Sequence, residues 1–531
     1  MTPPPTVFQR RIVIGAVICV MAFALVGVRL IDVTVLKSGA ATGKLAEPGE
    51  VARADLVDRN GELIARDLPA DDLYARPHMF VDKKRAARAL AAATGTDEKR
   101  LAQMFASKRG YVLIDRQLPP DTRAKVKLLG LPGLEYEPGS KRYYPDGRMT
   151  AQVLGVTDTD GKGVSGLELG LDPELHAGQS GSSVATSLDM RVQFILAHEA
   201  QASMTEFTAH AAGGLVMDVR TGEILALVSL PDFDPNARDF AGGDSTRNVM
   251  VQDVYELGSV FKIFSFTLAM QDHTVRLDEQ LPIGNGYKIG KYTIHEAEHM
   301  PATLAARDVL AQSSNIGTAQ IALRSGPDRQ RAFLQNMGLL APIRSELPES
   351  ARPLFPAHWG TIETATIGFG HGISVSPLAF AAAAASVVNG GRRVTPTLLK
   401  HPADARGEQV ISPETSAAMR ALLRYVVTNG TGRKADVPGY DVGGKTGSAE
   451  KVGLHGKYTH KLVTSFCAIF PIEEPRYLVF VMLDEPHGTK ATSGFALAGY
   501  TAAPLAGQVI SRIAPLLGVP MKPVAVSKEN S

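Results

Sequence analysis

The segment from Gly258 to Leu268 constrains this chain more than any other. Val260, Phe261, Ile263, Phe264, Phe266 and Leu268 leave a helix that begins at Gly258-Ser259 apolar on almost every face. Such a helix is stable only when other elements cover it on all sides. Lys262 lies in it three residues after Ser259, so the two side chains share one face. A lysine forced into apolar surroundings loses proton affinity, because burial penalises its charged form. A neutral amine there could take the hydroxyl proton of Ser259. The hydroxyl would also sit at the positive end of the helix dipole, where developing negative charge is favoured. The same residues equally describe an N-capping serine and a lysine snorkelling to the surface. Ser-x-x-Lys alone does not decide, since Ser448 and Lys451 match it too.

Covering such a helix takes a large body. With 531 residues, 44% apolar and 21% charged, the chain has the composition of a globular protein with more than one core. The net charge of +2 gives no electrostatic case for a nucleic-acid partner. Cys19 and Cys467 are the only cysteines, which excludes a disulfide framework or a zinc ribbon. Function must come from oxygen, nitrogen and backbone chemistry.

Ile12 to Val28 carries no charged side chain and is flanked by Arg10, Arg11 and Arg29. Extended by Leu30 and Ile31, it can span a hydrocarbon core of about 30 Å. No A-x-A-like cleavage site lies close behind it, so it reads as a retained anchor. The loop charges do not orient it, because Arg29, Lys37 and Lys44 offset Arg10 and Arg11. Residues 35 to 50 read as a short linker. From Val51 to about Ser187 short β-like runs (Ala54 to Val57, Tyr111 to Asp115) alternate with helical segments such as Lys83 to Ala93. An amphipathic helix from Asp189 to Met204 leads into a hairpin of Gly214 to Asp218 and Glu223 to Ser229, turning at Thr221-Gly222. Strands at Leu462 to Phe470 and Tyr477 to Leu483 and a helix near Ala502 to Ile513 complete an α/β region.

Two further motifs stand in that region. Ser313-Ser314-Asn315 precedes a helix-like run, Ile316 to Leu323, and Lys445-Thr446-Gly447-Ser448 follows Gly443-Gly444. Singly, the first is a capping cluster and the second a glycine turn. In chain order with Ser-x-x-Lys, the trio is the signature of penicillin-recognising serine enzymes, and the sequence resembles class B penicillin-binding proteins, the monofunctional peptidoglycan transpeptidases. Asp58-Arg59-Asn60-Gly61, Arg142 with Tyr144-Pro145, and Gly163-x-x-Gly166-Leu167-Glu168 look like the family's pedestal. Gly214 to Ser229, Asp234-Pro235-Asn236, Gly368 to Ile373 with Ser376-Pro377-Leu378, and Asn389-Gly390-Gly391 look like its transpeptidase domain. Ala54 stands where the family often has Gly and Leu257 where it has Pro. No segment resembles the glycosyltransferase domain of the bifunctional enzymes.

The resemblance implies an α/β (α+β) penicillin-recognising transpeptidase fold on a mixed α+β pedestal. Residues 1–11 would be a cytoplasmic tail, 12–31 a transmembrane anchor, 35–187 the non-catalytic, dimerisation-type pedestal and 189–520 the transpeptidase domain. Ser259 would be the nucleophile, Lys262 its general base and Ser313 the relay to the leaving amine. Asn315 would hold a substrate amide, and Lys445 and Thr446 the carboxylate of a D-Ala-D-Ala stem peptide or a β-lactam. Gly447 would leave room for the peptide along the strand edge, and the N–H groups of Ser259 and Ser448 would form the oxyanion hole. The implied setting is the bacterial inner membrane, with the catalytic domain outside the cytoplasm and a membrane glycosyltransferase and other division proteins as partners. No cofactor, metal or nucleic acid is implied. The modest length and the pattern from Gly163 onward look closer to the division-specific type, with the side-wall type as the alternative.

Competing readings are weaker. His295-Glu296-Ala297-Glu298-His299 fits zinc-site patterns that need a helix of several turns, but the run Tyr287 to Ile294 before it reads as strand and Met300-Pro301 stops it. Gly368, Gly370 and Gly372 do not complete a dinucleotide fingerprint, because Ile373 takes the last position. A β-lactam hydrolase would need a water-activating glutamate; Glu346 and Glu349 lie in that general region without the expected asparagine partner. A penicillin-sensing receptor would need a cytoplasmic domain larger than Met1 to Arg11.

Overall fold

The computed structural model describes residues 53–177, 181–237, 243–400, 407–453 and 457–523, together with Met21 and Ala24. The expected tail, anchor and 35–50 linker lie outside the described residues apart from those two. Among the described residues no helix is long and apolar enough to cross a membrane.

The N-terminal part is built on a five-stranded sheet. Strands β1 (Asp55–Val57), β2 (Leu63–Ala75), β3 (Val112–Leu118) and β5 (Ser183–Ala185) run in the order β3-β2-β1-β5, and β4 (Leu134–Tyr143) pairs with β2. Helices α1 (Lys83–Thr94), α2 (Glu98–Ala106) and α3 (Pro120–Leu128) accompany it. Asp82 caps α1 through Lys84 N and Arg85 N, and Gly95, at φ +77°, ends it in the left-handed conformation. At the base of this part lies a buried ionic cluster. Arg53 meets Glu168 at 2.6 Å and Asp172 at 2.6 Å, while Arg142 meets Glu168 at 2.7 Å and Asp67 at 3.2 Å. Glu168 is fully buried, so the two guanidiniums together offset the cost of taking its charge out of water.

Asp58 joins this part to the next. Its Oδ1 accepts from Asn60 N and Glu62 N, while Oδ2 accepts from Met190 N at the start of α4 (Met190–Glu206). The chain then enters a second sheet of five antiparallel strands. These are β6 (Ala211–Asp218), β7 (Ile224–Leu230), β8 (Gly443–Val452), β9 (Tyr458–Phe470) and β10 (Tyr477–Asp484), in the order β8-β9-β10-β6-β7. Alternate residues of a strand face opposite sides, and both faces here are covered. Val479, Val481 and Leu483 pack in one cluster with Val192, Leu196 and Ile510 of α4 and α9 (Ala502–Leu516). Leu478, Phe480 and Met482 face the other cluster. Strands buried on both faces read as continuous apolar runs, which is why Tyr477 to Leu483 was legible.

The second layer holds the fully buried helix expected from sequence. Gly258 to Phe261 forms a 3-10 turn that passes into α5 (Lys262–Gln271), in which every residue from Lys262 to Met270 is buried. Phe261 and Phe264 pack against Phe380 of α7 (Pro377–Val388) at 5.8 and 5.4 Å between ring centroids, and Phe380 reaches Phe480 of β10 at 5.3 Å. Helices α6 (Asn315–Ser325) and α8 (Pro413–Asn429) complete the surround. One apolar cluster runs without interruption from Leu56, Ile64 and Leu167 through Met190 and Leu215 to Phe264 and Phe380.

Candidate active site

Ser259 belongs to the 3-10 turn, not to the helix that follows. The turn has three residues per revolution, so positions i and i+3 stack, and Lys262 opens α5 directly beyond Ser259. Leu257 holds φ −86° ahead of Gly258 at φ +59°, so leucine accommodates the entry to the turn. The Ser259 side chain lines a cavity of about 360 Å³ together with Ser313, Asn315, Thr446, Ser448 and His371.

The two lysines are both buried. Lys262 Nζ lies 2.5 Å from the Ser313 carbonyl oxygen, 3.1 Å from Ser313 Oγ and 2.9 Å from Asn315 Oδ1. Lys445 Nζ lies 3.0 Å from the same Ser313 Oγ, 3.0 Å from the Thr446 carbonyl and 3.2 Å from Thr446 Oγ1. Ser313 therefore bridges the two amines. It does so from φ +66°, a left-handed conformation that a non-glycine residue adopts at a cost of about 1–2 kcal/mol, held at a place where Oγ lies between two amines. Burial pushes the Lys262 amine well below the ordinary lysine value, the charge of Lys445 lowers it further, and Glu296 opposes both. Burial brings Lys445 down to about 7. With Lys262 neutral, Lys445 can donate to Ser313 Oγ while the Ser313 hydroxyl donates to Lys262. That is a proton path through three named atoms.

Among the described residues strand β8 is an edge strand, paired only to β9, and Thr446 and Ser448 on it line the cavity. Thr446 Oγ1 is held at 2.7 Å by Thr431 Oγ1. Ser448 Oγ accepts from Ala498 N at 3.0 Å, tying down the loop that brings Leu497, Gly499 and Tyr500 to the cavity wall. Gly447 corrects the sequence-based rationale. A Cβ on it would lie 2.5 Å from Leu257 O, 2.6 Å from Ser465 Oγ and 2.9 Å from Val260 Cγ1. It points at the turn carrying Ser259 and not at an incoming peptide, so glycine is needed there for the strand to pack on that turn.

The alternative motifs are used elsewhere. Residues 295–299 form no helix; they follow a small hairpin, Tyr287–Ile289 with Tyr292–Ile294. Glu296 instead caps α6, accepting from Ser314 Oγ at 2.5 Å, Asn315 N at 2.8 Å and Ile316 N at 3.0 Å. Glu346 accepts from Thr397 Oγ1 and Leu398 N, and Glu349 from Gly166 N, so neither lines the cavity. Lys451 pairs with Asp484 and Glu485, which removes the second Ser-x-x-Lys. Sequence reasoning did not single out Thr431, the capping use of Glu296, or His371. Burial and the nearby Lys262 hold the His371 imidazole down at about 4, so it is neutral. A threonine between two glycines was the one available signal for Thr431.

A serine on a 3-10 turn, a buried lysine one turn further on whose proton affinity burial lowers, a hydroxyl between two lysines and an open strand edge define a serine acyl-transfer enzyme suited to a substrate that adds as a strand. The family model "Penicillin binding protein transpeptidase domain" matches residues 212–508, and "Penicillin-binding Protein dimerisation domain" matches residues 48–193. The chain is 41% identical to a probable peptidoglycan D,D-transpeptidase FtsI of Caulobacter vibrioides, over 92% of this chain and 85% of that one. It is 31% identical to a probable peptidoglycan D,D-transpeptidase PenA of Neisseria meningitidis, over 90% and 86%. Among solved structures, penicillin binding protein 3 of Mycobacterium tuberculosis, complexed with aztreonam, superposes with a TM-score of 0.70 at 26% identity, covering 90% of this chain and 98% of that one. The chain belongs to the penicillin-binding protein family, as a class B member of the cell-division type.

Proposed function

We propose that this chain is a septal peptidoglycan D,D-transpeptidase that works through an acyl-enzyme on Ser259 and is inhibited by β-lactams. The observation that carries this is the Lys262–Ser313–Lys445 path opening on the cavity that Ser259 lines. Names of the relatives and the aztreonam complex of a similar structure support the same substrate and inhibitor class.

Ser259 Oγ attacks the carbonyl of the penultimate D-Ala as its proton passes to the Lys262 amine. The oxyanion is met by the N–H groups of Ser259 and Ser448. The C–N bond then breaks, and the departing D-Ala amine takes a proton handed on by the Ser313 hydroxyl, which Lys262 replenishes. Thr446, steadied by Thr431, and the charge of Lys445 hold the terminal carboxylate, while Asn315 holds a substrate amide. In the second half an amine of a neighbouring strand attacks the ester carbonyl while its proton passes to the Lys262 amine, and Lys262 hands that proton to Ser259 Oγ as the C–O bond breaks. Residues 35–187 serve as pedestal and 189–520 as the catalytic domain. Residues 12–31 anchor the chain once in the inner membrane with the tail 1–11 inside, and a membrane glycosyltransferase of the division machinery is the partner.

Intact-protein mass spectrometry after exposure to a penicillin tests the reaction class: a single adduct mapping to Ser259 is expected, and no adduct, or one elsewhere, refutes it. A phosphatase active only after export, fused after Ser531, tests the topology; a silent reporter in a well-expressed fusion refutes it. Depletion should block septation and leave elongation running, and the opposite phenotype would assign the side-wall role.

A further inference from the structure

We infer that Arg433 and Lys434 form a second carboxylate-recognition subsite at the mouth of the cleft, so that the enzyme selects acyl donors bearing a free carboxylate upstream of the D-Ala pair. This rests on the transpeptidase reading above. Both residues lie on a 3-10 turn, Arg433–Ala435, directly after the Thr431 that steadies Thr446, and both line the cavity that contains Ser259. Both are exposed, and neither is ion-paired to a carboxylate among the described residues. Glu298, which lines the same cavity, is no exception. Arg433 spends one N–H on the Asn429 carbonyl, which fixes the guanidinium near the turn and leaves its remaining donors free.

Lys434 is held differently. Its Nζ lies 4.2 Å from the centroid of the Tyr500 ring, which is itself stacked on Phe495 at 5.4 Å and 21°. A cation over an aromatic face is attracted by the ring quadrupole, so the ammonium is fixed at the rim without its charge being neutralised. A lysine that merely solubilised the surface would be free to swing into water, whereas this one is held against the wall of the cavity that Thr446 also lines. Lys445 and Thr446 already account for the terminal carboxylate of the donor. The two rim cations therefore fit another anionic group of the same molecule, a carboxylate on the residue that precedes the D-Ala pair. Arg433 can bind it in the forked geometry that suits carboxylates, with Lys434 as a fixed point charge.

The test uses two synthetic donor peptides ending in D-Ala-D-Ala, identical except that the preceding residue carries a free carboxylate in one and a carboxamide in the other. Acylation of the full chain is measured by competition with a fluorescent penicillin. The carboxylate peptide should be preferred by about tenfold, the lower end for a hydrogen bond between charged groups, and the preference should shrink as salt is raised. The paired substitution Arg433→Gln and Lys434→Gln should bring the two peptides to parity, while Arg433→Lys with Lys434→Arg, which keeps both charges, should retain most of the preference. Equal reaction of both peptides with the parent overturns the inference, as does a preference that survives the Gln pair or is lost equally in the charge-preserving pair. Failure of penicillin itself to acylate Ser259 would instead strike the transpeptidase reading.

Discussion

Replacing Lys262 separates its role as a base from its role as a packing residue. The side chain is fully buried and its amine meets three oxygens, Ser313 O, Ser313 Oγ and Asn315 Oδ1. Lys262→Met keeps much of the volume and removes the amine. Ser313 Oγ retains Lys445, so two acceptors are left short of a partner, each costing about 1–3 kcal/mol. Relief from burying an amine works in the opposite direction, and the melting temperature should move little. Lys262→Arg restores a cation that cannot be deprotonated in a protein. Both variants lose the proton acceptor for Ser259, so the rate of penicillin acylation should fall about 10²- to 10⁴-fold, or about 3 to 5 kcal/mol of barrier. Stopped-flow acylation across pH 5 to 10, beside thermal melts, measures both effects. The parental acid limb, which titrates the coupled amines as a pair, should be displaced in Lys262→Met, where Lys445 alone remains to titrate. Near-parental acylation by either variant, with the adduct still on Ser259, would remove Lys262 from the mechanism.

Lys445, held at about 7 by burial, binds a proton less tightly folded than unfolded, so its penalty is greatest below pH 7 and fades as pH rises toward the unfolded value near 10. Thermal stability should therefore gain between pH 7 and 10, and Lys445→Met should flatten that rise in a pH series of melts. Glu168→Gln leaves Arg53 and Arg142 buried beside a neutral amide; a loss of about 3–5 kcal/mol is expected in urea unfolding, with penicillin acylation of the remaining folded protein retained. Gly447→Val drives its side chain into Leu257 O and Val260, so acylation and melting temperature should fall together, and a fully stable but inactive variant would return the glycine to the role expected from sequence.

What could be read in the sequence follows the range of the forces involved. Helix α1 was marked by Lys83 to Ala93, and α4 by its period and by Asp189, which caps Arg191 N. The hairpin of β6 and β7 was marked by two apolar runs around Thr221-Gly222. Long strands β2 and β4 were not singled out. Their pairing, Leu68 with Lys141 and Asp71 with Pro138, involves residues of mixed exposure, so no alternation marks it. In the site, the bond from Lys445 to Ser313 spans 132 positions, a separation that no periodicity encodes; only the family resemblance brought the motifs together. Glu296 shows the converse. Its neighbours fit a metal-site pattern that Met300-Pro301 already argued against, but its capping role was not legible, because its partners begin at Ser314, 18 positions on.

The apolar cluster that passes unbroken from Leu56 through Met190 to Phe380 makes the family boundary near residues 193 to 212 a seam in ancestry and not in cohesion. A chain begun at residue 212 would lack Leu188, Met190 and Leu196, and would expose Leu215, Met217 and Val216 on two sides of strand β6. Bared surface of that kind drives association, so a soluble catalytic fragment should start upstream of α4, and a single melting transition is expected for the two parts.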